Sequence, residues 1–69
     1  MFRSITDKKQ IESLALIAGI KKQPNTEITS MQYKDGDLMY FIESRAVNFV
    51  WLTKKLPLDI AIKIESVIS

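Results

Sequence analysis

An apolar stripe at helical spacing opens the chain. Residues that recur every three or four positions form one face of a predicted amphipathic helix: Ile11, Leu14, Ala15 and Ala18. Asp7 stands where a capping residue belongs, and Gly19 suits the end of the helix. Leu16 falls about 140° around the helix from Ile11, so it points away from the stripe. It is either a singly exposed leucine or a contact residue.

In the middle of the chain, the residue pattern is typical of β-strands. Ile28–Lys34 and Asp37–Glu43 are two such runs, separated by Asp35-Gly36. Asp-Gly between two strands is typical of a type I′ hairpin turn, because both residues must accept positive φ. A two-residue turn fixes the register. Three facing pairs are therefore predicted on one side of the hairpin: Tyr33 with Leu38, Met31 with Tyr40, and Thr29 with Ile42.

A third strand is predicted from Val47 to Thr53, since β-branched and aromatic residues dominate it. Val47, Phe49 and Trp51 share one side of this strand, and Asn48, Val50 and Leu52 share the other. We expect the side with Trp51 to be buried. The predicted core face of the sheet then comprises Met31, Tyr33, Leu38, Tyr40, Ile42, Phe49 and Trp51.

The last segment fits two periods. Alternation as in a strand runs through Leu56, Leu58, Ile60, Ile62 and Ile64, whereas helical spacing runs through Ile60, Ala61, Ile64, Val67 and Ile68. Helix is the preferred interpretation, because Pro57 suits a first helical turn and Asp59 is favoured by the helix dipole. Leu58 and Ile62 then lie off the main stripe. The strand alternative stays open.

These elements predict one small domain over residues 1–69. Its class is α+β: a three-stranded antiparallel meander flanked by an N-terminal and a C-terminal helix, in the order α-β-β-β-α. We expect both helices to pack on the same sheet face.

The composition narrows the chemistry. The chain contains neither histidine nor cysteine, so disulfides are impossible and a zinc site is close to excluded. Serines have no histidine to activate them, and Asp35 and Asp37 read as turn residues. We therefore expect no catalytic residues, no metal, no cofactor and no small-molecule substrate. Since no apolar run approaches the length of a signal peptide or a membrane span, the expected location is cytoplasmic.

The opposite sheet face is predicted to be apolar where it should be polar. Its expected contact residues are Met39, Phe41, Val50 and Leu52, with Ile28 beside them. Such a patch is typical of a contact surface. Either the last helix crosses over to cover it, or another chain does, and a second copy is the commonest solution. The sequence thus predicts a non-enzymatic binding protein of adaptor, accessory or inhibitor type, acting through protein–protein contacts as a homodimer.

An alternative function uses paired lysines to bind nucleic acid. The pairs are Lys8-Lys9, Lys21-Lys22 and Lys54-Lys55, although the formal net charge is only +2. Ala15, Gly19 and Ile20 have the spacing of a helix-turn-helix turn. Pro24 falls where the second helix would run, however, which argues against that motif.

Overall fold

The structure, a computed structural model, describes residues 2–44 and 50–69. The elements in these ranges are strand β1 (Phe2–Ile5), helix α1 (Lys8–Ala18), strands β2 (Thr26–Lys34), β3 (Asp37–Ser44) and β4 (Val50–Lys55), and helix α2 (Leu58–Ile68). The strands form one antiparallel sheet in the order β1-β2-β3-β4. The chain is therefore an α+β protein with an antiparallel sheet and two helices, as the sequence predicts.

The sheet has a fourth strand that the sequence pattern did not reveal. β1 pairs antiparallel with β2, so that Ile5 lies opposite Met31 and Phe2 opposite Lys34. Ile5 is buried in the core. The predicted three-stranded meander is wrong in this detail. β1 has four residues, too few to establish a period, and its strand conformation depends on pairing with β2.

Helix α1 begins and ends at the predicted residues. The Asp7 carboxylate accepts a hydrogen bond of 2.9 Å from the backbone N–H of Gln10, and Gly19 ends the helix in the left-handed conformation at φ 73°. The Gln10 side chain does not complete a capping box. It donates to the carbonyl of Val67 at 3.5 Å and so links the start of α1 to the end of α2.

The hairpin of β2 and β3 has the predicted turn and most of the predicted register. Asp35 and Gly36 both have positive φ, at 46° and 86°. Tyr33 faces Leu38 and Met31 faces Tyr40, as predicted. The third predicted pair is wrong, because the register shifts between Ile28 and Ser30 and Ile28, not Thr29, faces Ile42. An extra residue in one strand reverses the side on which the residues beyond it, counted from the turn, lie.

The sides of β4 are the reverse of the prediction. Trp51 faces Phe41, while Val50 faces Ile42 and Leu52 faces Tyr40. We call the face bearing Met31, Tyr33 and Leu38 the helix side, and the opposite one the far face. Val50 and Leu52 are thus on the helix side, and Trp51 is on the far face, where it is 46% exposed. The prediction that Trp51 is buried is wrong; Val47 and Phe49, also assigned to the core, lie outside the described residues.

Leu56 explains this reversal. It follows β4 directly and packs against the buried core. Side chains alternate along a strand, so inward placement of Leu56 puts Lys54, Leu52 and Val50 on the helix side. Periodicity within β4 could not decide between its sides, because residues 50–52 are all apolar.

Helix α2 settles the ambiguous last segment. It runs from Leu58 to Ile68, so the helix prediction is confirmed and the strand alternative is wrong. Its buried residues Ile64 and Ile68 belong to the same cluster as Leu14 of α1. The idea that this helix crosses to cover the far face is also wrong. Four side chains are almost completely buried between the helices and the sheet: Leu14, Met31, Leu38 and Ile64.

The turn geometry predicts the effect of one substitution. A Cβ added at Gly36 would meet no atom within 4 Å, so only the backbone conformation restricts this position. We expect Gly36→Val to lower the free energy of unfolding by about 1–3 kcal/mol, because β-branched residues resist positive φ. Gly36→Asn should cost clearly less, since asparagine tolerates this conformation. Equal urea midpoints for the wild type and Gly36→Val would contradict the turn assignment.

Candidate interaction surfaces

The helix side of the sheet consists of three cross-strand rows. The register assigns Arg3, Tyr33, Leu38 and Lys54 to the first row, Ile5, Met31, Tyr40 and Leu52 to the second, and Ile28, Ile42 and Val50 to the third. The buried residues of the first two rows are Tyr33, Leu38, Ile5 and Met31. No side chain of the third row is fully buried. This row is therefore the part of the helix side that the two helices cover least.

A groove of about 820 Å³ lies along α1 beside this third row. We call it the α1 groove. Its apolar lining comprises Ile11, Ala15, Leu16, Gly19, Ile20 and Ile28, and its charged lining comprises Lys8, Glu12, Lys21, Lys22 and Glu27. None of these residues belongs to α2, so the groove runs along the flank of α1 that faces away from α2.

Leu16 is the most exposed large apolar side chain among the described residues. It is 82% exposed, although it also lines the α1 groove. Its position follows from the helical period, which directs it away from the buried stripe. A leucine so placed projects from the lip of an apolar depression.

Strand β4 is apolar on both sides and exposed on both. Val50 and Leu52, on the helix side, are 43% and 41% exposed, and Trp51 is exposed on the far face. The Trp51 ring contacts the Phe41 ring at a centroid distance of 5.1 Å and a tilt of 50°. The predicted contact residues are thus divided: Met39 and Phe41 lie on the far face with Trp51, whereas Val50 and Leu52 lie on the opposite side.

The outer edge of β4 presents backbone groups to its surroundings. The N–H of Leu56 donates to the carbonyl of Gly36 at 2.9 Å. Backbone groups alternate in direction along an antiparallel ladder, so those of residues 50, 52 and 54 also point toward β3. The N–H and C=O of Trp51, Thr53 and Lys55 therefore point outward. No strand within residues 2–44 and 50–69 pairs with this edge. We call it the β4 edge.

The lysine pairs converge only in part. Lys8, Lys21 and Lys22 all line the α1 groove. The Nζ of Lys54 lies 3.6 Å from the position that a Cβ on Gly19 would occupy, close to the end of α1. A cation is favoured there by the helix dipole. Lys9 and Lys55 are exposed and do not line the α1 groove. The six lysines therefore do not all lie at this groove.

A polar cluster connects the hairpin turn to α2. The Tyr33 hydroxyl donates to the Glu65 carboxylate and accepts a hydrogen bond of 3.1 Å from the N–H of Gly36. Arg3 donates to the carbonyl of Ile68. Burial of the Tyr33 ring raises its pKa, and the hydrogen bond to Glu65 raises it further. These contacts join three elements and give the cluster a structural role.

The described part of the chain contains no group of three or more acidic side chains that could hold a metal ion. Neither described helix is long and apolar enough to cross a membrane.

Comparison with known proteins adds no relative. No family model, no curated protein and no solved structure matches the chain.

Sequence reasoning missed the α1 groove as a feature. Its signal was present in Leu16, whose helical position predicted an exposed side chain. The groove itself needs Ile28 on the helix side, and Ile28 is placed there by a bulge that no turn residue marks. The exposure of Trp51 was missed for a similar reason, because the sequence of β4 does not show which of its sides faces the helices.

The Tyr33 cluster predicts a pH effect on stability. With its pKa raised in the folded protein, Tyr33 loses its proton more readily in the unfolded chain. Its contribution is thus complete below about pH 10 and is lost as the pH rises beyond it. We expect Tyr33→Phe to lower the free energy of unfolding by about 1–2 kcal/mol at neutral pH and to remove this part of the alkaline loss.

The measurement is the urea midpoint as a function of pH for matched variants. Tyr40→Phe is the control, because it removes a half-buried tyrosine hydroxyl elsewhere on the helix side and leaves Tyr33 in place. The urea midpoint of Tyr40→Phe should fall at alkaline pH as that of the wild type does. Identical pH profiles for Tyr33→Phe and the wild type would contradict the role assigned to Tyr33.

Proposed function

We propose that the protein is a non-enzymatic binding module that acts through protein–protein contacts as a homodimer. Its foreign partner is an extended segment of another protein, which adds a strand at the β4 edge. The observation that supports this most directly is the outward direction of the backbone groups of Trp51, Thr53 and Lys55. Strand addition supplies affinity through main-chain hydrogen bonds and specificity through alternate side chains.

The side chains of β4 indicate the chemistry of that segment. Val50, Trp51 and Leu52 offer apolar surface at one end of the strand, on both sides of the sheet. Lys54 and Lys55 follow at the other end, and β4 contains no acidic residue. A segment that combines apolar and acidic residues would bury the first group and pair with the second. Lysine on an edge strand also disfavours indiscriminate pairing, which restricts partners to those with compensating charge.

The non-enzymatic part of the proposal rests on the ionisable groups. Tyr33 and Glu65 are hydrogen-bonded to each other and connect the hairpin turn to α2. A general acid or base is most effective when its pKa lies near the operating pH. The Tyr33 pKa is moved upward, away from neutral pH. This cluster is accounted for by the fold.

Nucleic acid is the second candidate, and one observation favours it. Trp51 and Phe41 lie on the far face, outside the core, on the same side as Lys55. Exposed aromatic rings beside a cation can stack on the bases of a single strand. Against this, the formal net charge is only +2. Strand addition accounts for the backbone edge, the apolar side chains and the lysines of β4, whereas base stacking accounts for the aromatic rings and Lys55 but not for the backbone edge.

A peptide titration tests the proposal, with Trp51 as the only tryptophan and hence the reporter. The probe is a synthetic peptide of about eight residues, with valines in one half and glutamates in the other. A valine–lysine peptide of the same length is the control. We expect the acidic peptide to shift Trp51 emission to shorter wavelength and to bind at least about tenfold more tightly. No shift with the acidic peptide, together with salt-sensitive quenching by oligothymidine, would favour nucleic acid instead.

Two substitutions at one position locate the contact on the β4 edge. Thr53→Pro removes an outward N–H and leaves the ladder with β3 intact, a place where edge strands tolerate proline. Thr53→Pro should lower the affinity for the acidic peptide by about tenfold, which corresponds to the loss of one hydrogen bond. Thr53→Val keeps the N–H and should bind as the wild type does. Equal binding by both variants would show that the peptide does not extend the sheet.

A further inference from the structure

We propose that the homodimer forms through the α1 groove, with Leu16 of each copy inserted into the groove of the other. This inference rests on the homodimer of the proposed function and adds its interface. The β4 edge takes no part in it, so the peptide titration and the test below can fail separately.

The shape of the surface is self-complementary. A two-fold interface uses the same patch on both copies, so this patch must contain both a projection and the depression that receives it. Leu16 projects at 82% exposure from the lip of an apolar groove of about 820 Å³. Ile20 and Ile28, which are partly buried against the core, also line this groove. Projection and depression lie side by side on one helix flank, as a two-fold axis through that flank requires.

The charges around the groove are also self-complementary. When two α1 helices cross antiparallel near Leu16, the turn before Leu16 in one copy lies opposite the turn after it in the other. Glu12 then approaches the partner's Lys21 and the partner's Lys22. These three side chains all line the groove. Because the contact occurs twice about the axis, each copy contributes both signs of charge to it.

The exposed side of α2 provides a comparison. Leu58 is 77% exposed, and Ile62 is also exposed one turn later. Neither of them lines the α1 groove. Leu58 therefore does not share the pairing of projection and groove that Leu16 has. Leu58 is accordingly a matched control for Leu16, since both are highly exposed leucines on eleven-residue helices.

Sedimentation equilibrium of the wild type and of Leu16→Glu tests the interface. We expect a wild-type dimer and a folded Leu16→Glu monomer, with a dissociation constant raised about a hundredfold or more because two leucines leave the contact. Because Leu16 is exposed, the Leu16→Glu variant should keep the far-ultraviolet circular dichroism spectrum of the wild type. Its urea midpoint should equal that of the wild type measured at a concentration where the wild type is monomeric. Leu58→Glu should remain dimeric. A wild type that stays monomeric up to about 1 mM, or a dimeric Leu16→Glu, overturns the proposal.

Charge reversal supplies an independent test with a rescue. Glu12→Lys alone, and the double reversal Lys21→Glu with Lys22→Glu, should each weaken the dimer by about tenfold. The triple variant that combines them restores opposite charges and should regain most of the affinity. Failure of the triple variant to recover would overturn the antiparallel arrangement. An apolar partner helix in place of a second copy would show as a monomeric wild type, which also overturns it.

Discussion

The helix side of the sheet is wider than its two helices can cover. Each helix has eleven residues, which corresponds to a length of about 16 Å. Together they bury Met31 and Leu38, in the first two cross-strand rows, beneath Leu14 and Ile64. The third row is covered less, because Ile28 packs against the core but stays only partly buried, and Val50 at its end is exposed. The core and the α1 groove are thus two consequences of one limit, namely how much sheet a chain of this length can cover.

Elements with a local signal were predictable from the sequence. Helix α1 has a cap at Asp7 and a glycine at its end, and both act as expected. The turn at Asp35-Gly36 imposes its register on the adjacent residues through geometry alone. Helix α2 was recoverable because its apolar positions recur at helical spacing and Pro57 and Asp59 mark its start. In each case a few neighbouring residues determine the conformation, so no knowledge of the rest of the fold is needed.

The features that escaped prediction depend on distant contacts. β1 exists as a strand because β2 lies beside it, and the bulge near Thr29 places Ile28 where the core can use it. The side exchange in β4 follows from Leu56, whose burial involves the core as a whole. The face predicted as a contact surface was therefore assembled from two different sides. Met39 and Phe41 were assigned correctly to the far face, while Val50 and Leu52 were not.

Because the apolar side chains of β4 lie on both sides of the sheet, their placement limits what a single partner can cover. A single partner lying flat on one side of the sheet would cover either Val50 or Trp51, since they point in opposite directions. Val50 lies in the same cross-strand row as Ile28, which lines the α1 groove. A second copy docked in the groove would therefore extend toward Val50. Trp51 would remain open on the far face, next to the outward backbone groups of β4. A second copy in the α1 groove would thus add cover for Val50 on the helix side only, whereas a strand added at the β4 edge reaches side chains on both sides of β4.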